Sequence, residues 1–114
     1  IRDRTVSRGL GDLYKRQART ELIGKQDEQV NFELRYFEIE AGGYTSLEKH
    51  QHTHVIIIAR GSGQVQIGEQ LCQVKLNDVL YIEPHCVHQL SNPEQDIFGF
   101  YCIVDKQRDR PVVI

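Results

Sequence analysis

From residue 30 onward, short stretches rich in β-branched and aromatic residues recur about every ten residues, and turn-forming residues separate them. Residues 64–67 alternate apolar and polar side chains, as a half-buried strand does, whereas 55–59 is the continuous β-branched run of a strand buried on both faces. No helical period follows residue 30. Strands are predicted at residues 31–39, 45–49, 55–59, 64–67, 71–76, 79–82, 87–90 and 97–104. Their regular spacing predicts an all-β fold, an antiparallel sandwich or small barrel.

The 114 residues suffice for one domain with its own core. We assign residues 31–105 to the barrel, residues 106–114 to a solvated C-terminal tail, and residues 1–30 to an N-terminal arm. The arm is mostly polar and is predicted to be poorly structured, or to hold one short helix within residues 10–28. Residues 41–44, which contain Gly42 and Gly43, are predicted to break the chain between two strands.

The composition is that of a globular protein: 39% of the residues are hydrophobic and 26% are charged. The longest apolar run, residues 55–59, is too short to cross a bilayer, and no signal-peptide pattern opens the sequence. Cys72, Cys86 and Cys102 form an odd set without a C-x-x-C pair, which is typical of free thiols in a reducing compartment. We therefore expect a cytoplasmic protein that does not associate with membranes.

Charge is unevenly distributed along the chain. The net charge of −2 argues against nucleic-acid binding as the main function. Residues 1–19 carry six basic and two acidic side chains, a net charge of +4, and the remainder carries −6. This pattern favours an arm that docks electrostatically on its own barrel or on a partner subunit, and a phosphate-binding tail is the alternative.

All five histidines lie between positions 50 and 88, and three of them fall in the run Glu48-Lys-His50-Gln-His52-Thr-His54. A lone histidine is usually a surface or core residue, but three beside a glutamate predict a metal site. Imidazole nitrogens suit Mn, Fe, Co, Ni, Cu and Zn, and a carboxylate admits the harder ions of that series. The run is internal and interleaved with Gln and Thr, unlike a histidine tag.

Strand geometry limits which of these side chains can share one ion. Along a straight strand, at about 3.3 Å per residue, Glu48 and His54 would lie about 20 Å apart, too far for ligand bonds of about 2 Å. The chain must therefore turn at residues 51–53, and His52 at the apex would point away from the ion or across the mouth of the site. His88, at the start of a later strand, can join Glu48, His50 and His54 if the sheet closes into a barrel.

These residues resemble the two sequence motifs of the cupin superfamily, small barrels of the jelly-roll type. The first motif, G-x5-H-x-H-x3,4-E-x6-G, matches Gly43 to Gly61 with one residue fewer after Gly43. Glu48 and His50 stand at the two histidine positions and His54 at the glutamate position. The second motif, G-x5-P-x-G-x2-H-x3-N, keeps His88 and Asn92, whereas Asn77, Glu83 and His85 replace its Gly, Pro and Gly.

The resemblance implies one divalent metal inside the barrel, held by Glu48, His50, His54 and His88, and often a homodimer. It also implies that the inner face of the last strand, with Phe100 and Cys102, lines the cavity. Strand alternation from His54 and His88 adds Ile56 and Leu90, and Ser46 on the face of Glu48 is the best polar candidate. The alternative for Ile56, Leu90, Phe100 and Cys102 is that they are ordinary core residues. Two further residues have an alternative role in the site. Cys86 could bind the metal as a thiolate, and His85 could lie at the pocket mouth.

Two classes of function remain open. The first is a metalloenzyme acting on a small molecule, either an oxidoreductase of dioxygenase type or a Lewis-acid isomerase or hydrolase. The second is a non-enzymatic module that binds or senses a small ligand, and a purely structural metal is a third alternative. One carboxylate among three histidines favours Mn or Fe, with Ni, Co and Zn as alternatives.

Overall fold

The computed structural model describes residues 5–8, 15–26 and 28–114, and the side chains of residues 16–26 and 28–114. Every regular element in these ranges is a β-strand. In chain order they are β1 (Thr5–Arg8), β2 (Lys15–Ile23), β3 (Phe32–Tyr44), β4 (Glu48–Lys49), β5 (His54–Arg60), β6 (Ser62–Ile67), β7 (Gln70–Lys75), β8 (Val79–Ile82), β9 (His88–Ser91), β10 (Phe98–Asp105) and β11 (Val112–Val113). The predicted all-β jelly-roll architecture is confirmed.

The strands form one antiparallel sheet that curls into two layers. One layer has the order β1-β2-β3-β10-β5-β8, and the other has the order β7-β6-β9-β4-β11. The long strand β3 joins them, because its end at Tyr44 pairs with Ser91 of β9. Buried apolar side chains from both layers form the core between them, among them Ile39, Ile56, Val65 and Leu90.

The predicted break at residues 41–44 is wrong, because β3 runs through it to Tyr44. Gly42 has a φ of +78°, a conformation that side-chain-bearing residues rarely adopt. The glycines therefore bend the strand where it passes between layers instead of ending it. The strand over residues 54–60 also differs from the prediction, since buried and half-buried residues alternate along it.

The predicted helix in the N-terminal segment is not found in its described part, residues 15–26 and 28. Lys15–Ile23 is a strand that pairs along β3, with Arg19 opposite Phe37 and Glu21 opposite Arg35. The free edge of β3 provides hydrogen-bond partners for this polar segment. Residues 10–14 and 27 of the predicted helix lie outside the described residues. The division into arm, barrel and tail stays a prediction, although β2 and β11 are both hydrogen-bonded to barrel strands.

Two residues that replace glycines of the second motif adopt a backbone conformation that glycine favours. Asn77 and His85, at two motif glycine positions, have positive φ angles of 74° and 62°. Asn92 is 1% exposed and donates from its side-chain amide to the carbonyls of Ile39 and Asp96. It thereby ties β3 to the loop before β10. In the described part of the chain, no helix has the length and apolar character needed to span a membrane.

Candidate metal centre

Strand pairing brings the four predicted ligands together. Glu48 on β4 lies directly opposite His88 on β9, and His50 follows β4 by one residue. The chain turns over residues 51–53, as predicted, and His54 then opens β5. One ligand atom from each of Glu48, His50, His54 and His88 lies within 4.8 Å of all the others. The fold therefore provides a compact cluster of three imidazoles and one carboxylate.

Backbone carbonyls orient two of the three rings. His50 donates from Nδ1 to the carbonyl of His52 at 2.6 Å, and His88 donates from Nδ1 to the carbonyl of Cys86 at 2.9 Å. Because a carbonyl only accepts, Nδ1 carries a proton in each ring, and Nε2 is the atom that can bind a metal when the ring is neutral. The Nε2 atoms of His50 and His54 are 2.8 Å apart. A ligand nitrogen of His88 lies within 4.8 Å of the ligand nitrogens of both rings, so three imidazoles are grouped closely enough to share one ion.

Glu48 completes the cluster. The Ser46 hydroxyl donates to its Oε2 at 2.6 Å. The other oxygen, Oε1, lies 3.8 Å from Nε2 of His50 and 3.9 Å from Nε2 of His88. Ser46 therefore fixes the carboxylate with one oxygen turned toward the imidazoles.

Burial favours the neutral form of two of the imidazoles, those of His50 and His54. Desolvation lowers the pKa of His54 to about 2, and the neighbouring His50 and Arg35 reinforce the decrease. Desolvation also lowers the pKa of His50 to about 4, against the opposing effect of its hydrogen bond to His52. A neutral imidazole is the form that binds metals, so both rings are ready to coordinate an ion at neutral pH.

The donor set fits a divalent transition metal. With metal–ligand bonds of about 2.1 Å, ligand atoms at right angles lie about 3 Å apart and opposed ones about 4 Å apart. The distances of 2.8, 3.8 and 3.9 Å fall near this range. Three imidazole nitrogens with one carboxylate oxygen suit the first-row ions from Mn to Zn. The cluster could therefore hold one such ion.

The other histidines and Cys86 are outside the cluster. His52 lies on the turn and is hydrogen-bonded through Nδ1 to Asp109 at 2.8 Å. His85 is exposed, as expected for its loop. Cys86 packs against the apolar core and donates from Sγ to the carbonyl of Val87 at 3.5 Å.

The cluster faces a cavity of about 320 Å³ between the two layers, within the size range of small-ligand sites. Glu48, His54 and His88 contribute to its wall. All five residues predicted for the pocket also line it: Ser46, Ile56, Leu90, Phe100 and Cys102. Burial raises the pKa of the Cys102 thiol, which lies 2.8 Å from Nδ1 of His54.

Sequence reasoning missed the basic and amide side chains of the cavity. Arg35 on β3, Gln17 and Arg19 on β2, and Arg108 and Arg110 near the C-terminus all line it. Side chains alternate in direction along a strand, so Glu33, Arg35 and Phe37 share one face of β3. The apolar Phe37 could have indicated that this shared face, with Arg35, is the inner one. No comparable signal marks Gln17 or Arg110, because neither segment shows a strand pattern in the sequence.

Residues 35–104 match the sequence profile of the Cupin domain family. The chain belongs to the cupin family. The predicted resemblance is therefore confirmed over most of the barrel.

A curated relative from Rhodospirillum rubrum, named 1-methylthio-D-xylulose 5-phosphate methylsulfurylase, is 39% identical over 79 residues. The match covers 69% of this chain and 51% of the relative, so the chain spans about half the length of that relative. A cupin 2 conserved barrel domain protein from Rhodopseudomonas palustris has a similar structure, with a TM-score of 0.87 and 34% identity over 96% of this chain and 77% of its own. A cupin 2 domain-containing protein from Halorhodospira halophila has a TM-score of 0.81 and 36% identity, covering all of this chain and 85% of its own.

Proposed function

We propose that this cupin is a metal-dependent enzyme that acts on a small molecule bound in the barrel cavity. The observation that carries the proposal is the position of the cluster, which faces a cavity large enough for a small ligand. A structural metal site is normally closed by its protein ligands, whereas a catalytic site keeps a position for substrate. The relative from Rhodospirillum rubrum, named for an activity on a phosphorylated small molecule, supports an enzymatic role.

Glu48, His50, His54 and His88 would hold the ion. Bound there, a divalent metal would supply Lewis-acid polarisation of a chelating substrate or, if redox-active, oxidation chemistry of dioxygenase type. The carboxylate favours Mn or Fe, and Ni, Co and Zn are the other candidates. The apolar walls formed by Ile56, Leu90 and Phe100 would exclude water from the bound substrate.

The location proposed for this activity is the cytoplasm. Its support is that Cys72, Cys86 and Cys102 are all free, which is the usual state of cysteines in a reducing compartment.

A metal titration followed by nitric oxide binding tests the proposal. Metal-free protein is loaded anaerobically with Mn, Fe, Co, Ni or Zn, and the bound ion is counted by elemental analysis. We expect one ion per chain, and we expect nitric oxide to change the electron paramagnetic resonance spectrum of the Fe(II)-loaded protein. A metal content near zero would refute the metal site, and a fully loaded site that does not react with nitric oxide would show a closed, structural metal.

A further inference from the structure

One wall of the cavity, formed by β2 and β3, carries polar side chains that the metal cluster does not use. Gln17 lines the cavity and is only 4% exposed. Neither its amide nitrogen nor its amide oxygen has a hydrogen-bond partner among the described residues. Because leaving a buried amide unsatisfied is costly, such a group in a cavity wall indicates a missing ligand.

Arg35 lies on the same wall and is 7% exposed. Its Nη2 donates to Sγ of Cys102 at 3.2 Å, and its Nε has no hydrogen-bond partner in the part of the chain that the structure describes. Among the described side chains, no carboxylate forms an ion pair with Arg35. Its cross-strand neighbour Glu21 accepts instead from Nε of Arg19 at 3.1 Å.

A buried guanidinium without an anion is unfavourable, and buried charges in proteins are normally paired. The other residues that line the cavity increase this excess of positive charge. The described residues that line the cavity include four arginines, Arg19, Arg35, Arg108 and Arg110, but only one carboxylate, Glu48. Arg19 and Arg108 are paired with Glu21 and Glu33 at 3.1 Å each. Glu33 also attracts Arg35 electrostatically, but among the described residues no carboxylate forms an ion pair with this buried arginine.

We propose that Arg35 and Gln17 form a subsite for an anionic group of the substrate, a phosphate ester or a carboxylate. The planar guanidinium can donate to two oxygens of such a group, and the Gln17 amide can donate to a third. The remainder of the substrate would then extend toward Glu48, His54 and His88 in the same cavity. This inference rests on the proposed function, because it assigns a substrate class to the same site.

Three probes with one carbon skeleton test the subsite: glycerol 3-phosphate, glycerate and glycerol. Binding is measured by isothermal titration calorimetry on both the metal-free and the Mn(II)-loaded chain. We expect at least one of the two anions to bind the metal-free chain more tightly than glycerol, and the stronger of the two identifies the anionic group. Equal binding of all three, or no binding of either anion, would overturn the inference.

Arg35→Met removes the charge but keeps an apolar side chain of similar reach. We expect it to weaken anion binding about tenfold to a hundredfold, the usual effect of losing a hydrogen bond to a charged group. We expect smaller effects from Gln17→Leu and from Arg35→Lys, which keeps the positive charge but cannot donate to two oxygens from one planar group. Arg60→Met is the matched control, because Arg60 is exposed and pairs with Glu38 on the outer surface.

Melting temperature separates a ligand-binding role from a structural one. Without ligand, Arg35→Met should melt at the same temperature as the parent chain or higher, because it removes a buried unpaired charge. A lower melting temperature with unchanged anion binding would show that Arg35 is structural, and this result would refute the subsite. Gln17→Leu and Arg35→Lys provide the same comparison if Arg35→Met does not fold.

Metal content, measured in every variant, distinguishes failure of this inference from failure of the proposed function. Chains that bind no metal but still bind anions through Arg35 would refute the proposed function and leave the subsite intact. Anion binding that requires the metal and survives Arg35→Met would place the anion on the ion itself and overturn the subsite alone.

Discussion

His52 lies flat against His50, with ring centroids 3.7 Å apart and planes 6° from parallel. At its edge, the His52 ring is held by Asp109, whose Oδ1 lies 2.8 Å from Nδ1 of His52. The same carboxylate accepts from the backbone N–H groups of Gln51 and His52 at 2.7 and 2.9 Å. Asp109 thus ties the C-terminal segment to the turn, and His52 supports the ring of a proposed ligand without joining the cluster.

The first prediction is that His52 is not a ligand. We expect His52→Ala to retain nearly full metal content, whereas His50→Ala, His54→Ala or His88→Ala should lose most of it. The reason is that the compact group of ligand atoms is formed by Glu48, His50, His54 and His88, and His52 is not part of it. Elemental analysis after loading with Mn(II) measures the effect. Similar losses in all four variants would show that the ligand assignment is wrong.

The second prediction concerns the link made by Asp109. Both carboxylate oxygens accept hydrogen bonds, whereas the side chain of Asp109→Asn offers only one acceptor. We expect the backbone amides of Gln51 and His52 to exchange hydrogen several times faster in this variant, as measured by NMR. Asp105→Asn, a change on an exposed aspartate of β10, is the control. Unchanged exchange in Asp109→Asn would mean that the link does not stabilise the turn.

The third prediction is that Glu48 sets the metal preference. Three neutral imidazoles leave a divalent ion with its full charge, and one carboxylate reduces the net charge of the site to about +1. Glu48→His should therefore still bind metal, shift the preference toward Ni, Cu or Zn, and raise the reduction potential of bound Fe. Competition titrations and voltammetry measure these changes. If Glu48→His and Glu48→Ala both behave like the parent chain, Glu48 is not a ligand.

The fourth prediction concerns acid stability of the metal-free chain. Burial holds the pKa of His54 at about 2 and that of His50 at about 4, both below the value of about 6.5 for an unfolded histidine. Below about pH 6.5, the unfolded chain therefore binds more protons than the folded one. We expect the free energy of unfolding to fall with decreasing pH, by on the order of 3 kcal/mol or more at pH 4.

Urea denaturation between pH 4 and pH 8 measures this dependence. His54→Gln should flatten the curve, because it removes the ring with the lowest pKa. His85→Gln, at an exposed position, should leave the curve unchanged. A parent chain equally stable at both ends of the range would contradict the prediction.

The fifth prediction is a homodimer in which part of residues 1–30 packs on, or exchanges with, the partner subunit. Strand β1 pairs with β2 alone among the described strands, so one of its edges offers unpaired backbone groups, and such edges are normally covered. Light scattering at micromolar concentration measures the assembly, and a monomer there would count against this prediction.

Local pattern was enough to locate most strands, because side-chain alternation and turn residues act over a few neighbouring positions. Predicted strands such as 79–82 and 97–104 lie within one residue of β8 and β10. The turn at 51–53 also followed from the sequence, since no straight strand could bring His50 and His54 to one ion. The sequence does not distinguish a bend at Gly42 and Gly43 from the end of a strand, because both have the same residue signature.

Only the tertiary structure decided which distant residues meet. Glu48 on β4 faces His88 on the neighbouring strand β9, and Asp109 holds His52. Arg35 and Gln17 lie in the same wall of the cavity. These contacts depend on sheet closure and pairing register, which no local pattern encodes. The inner face of β2 is polar because it borders a cavity instead of the apolar core, so the alternation expected of a buried strand was absent. Sequence alone determined the donor set of the candidate metal site, and the fold decided that a buried arginine and an unsatisfied amide lie in the same cavity.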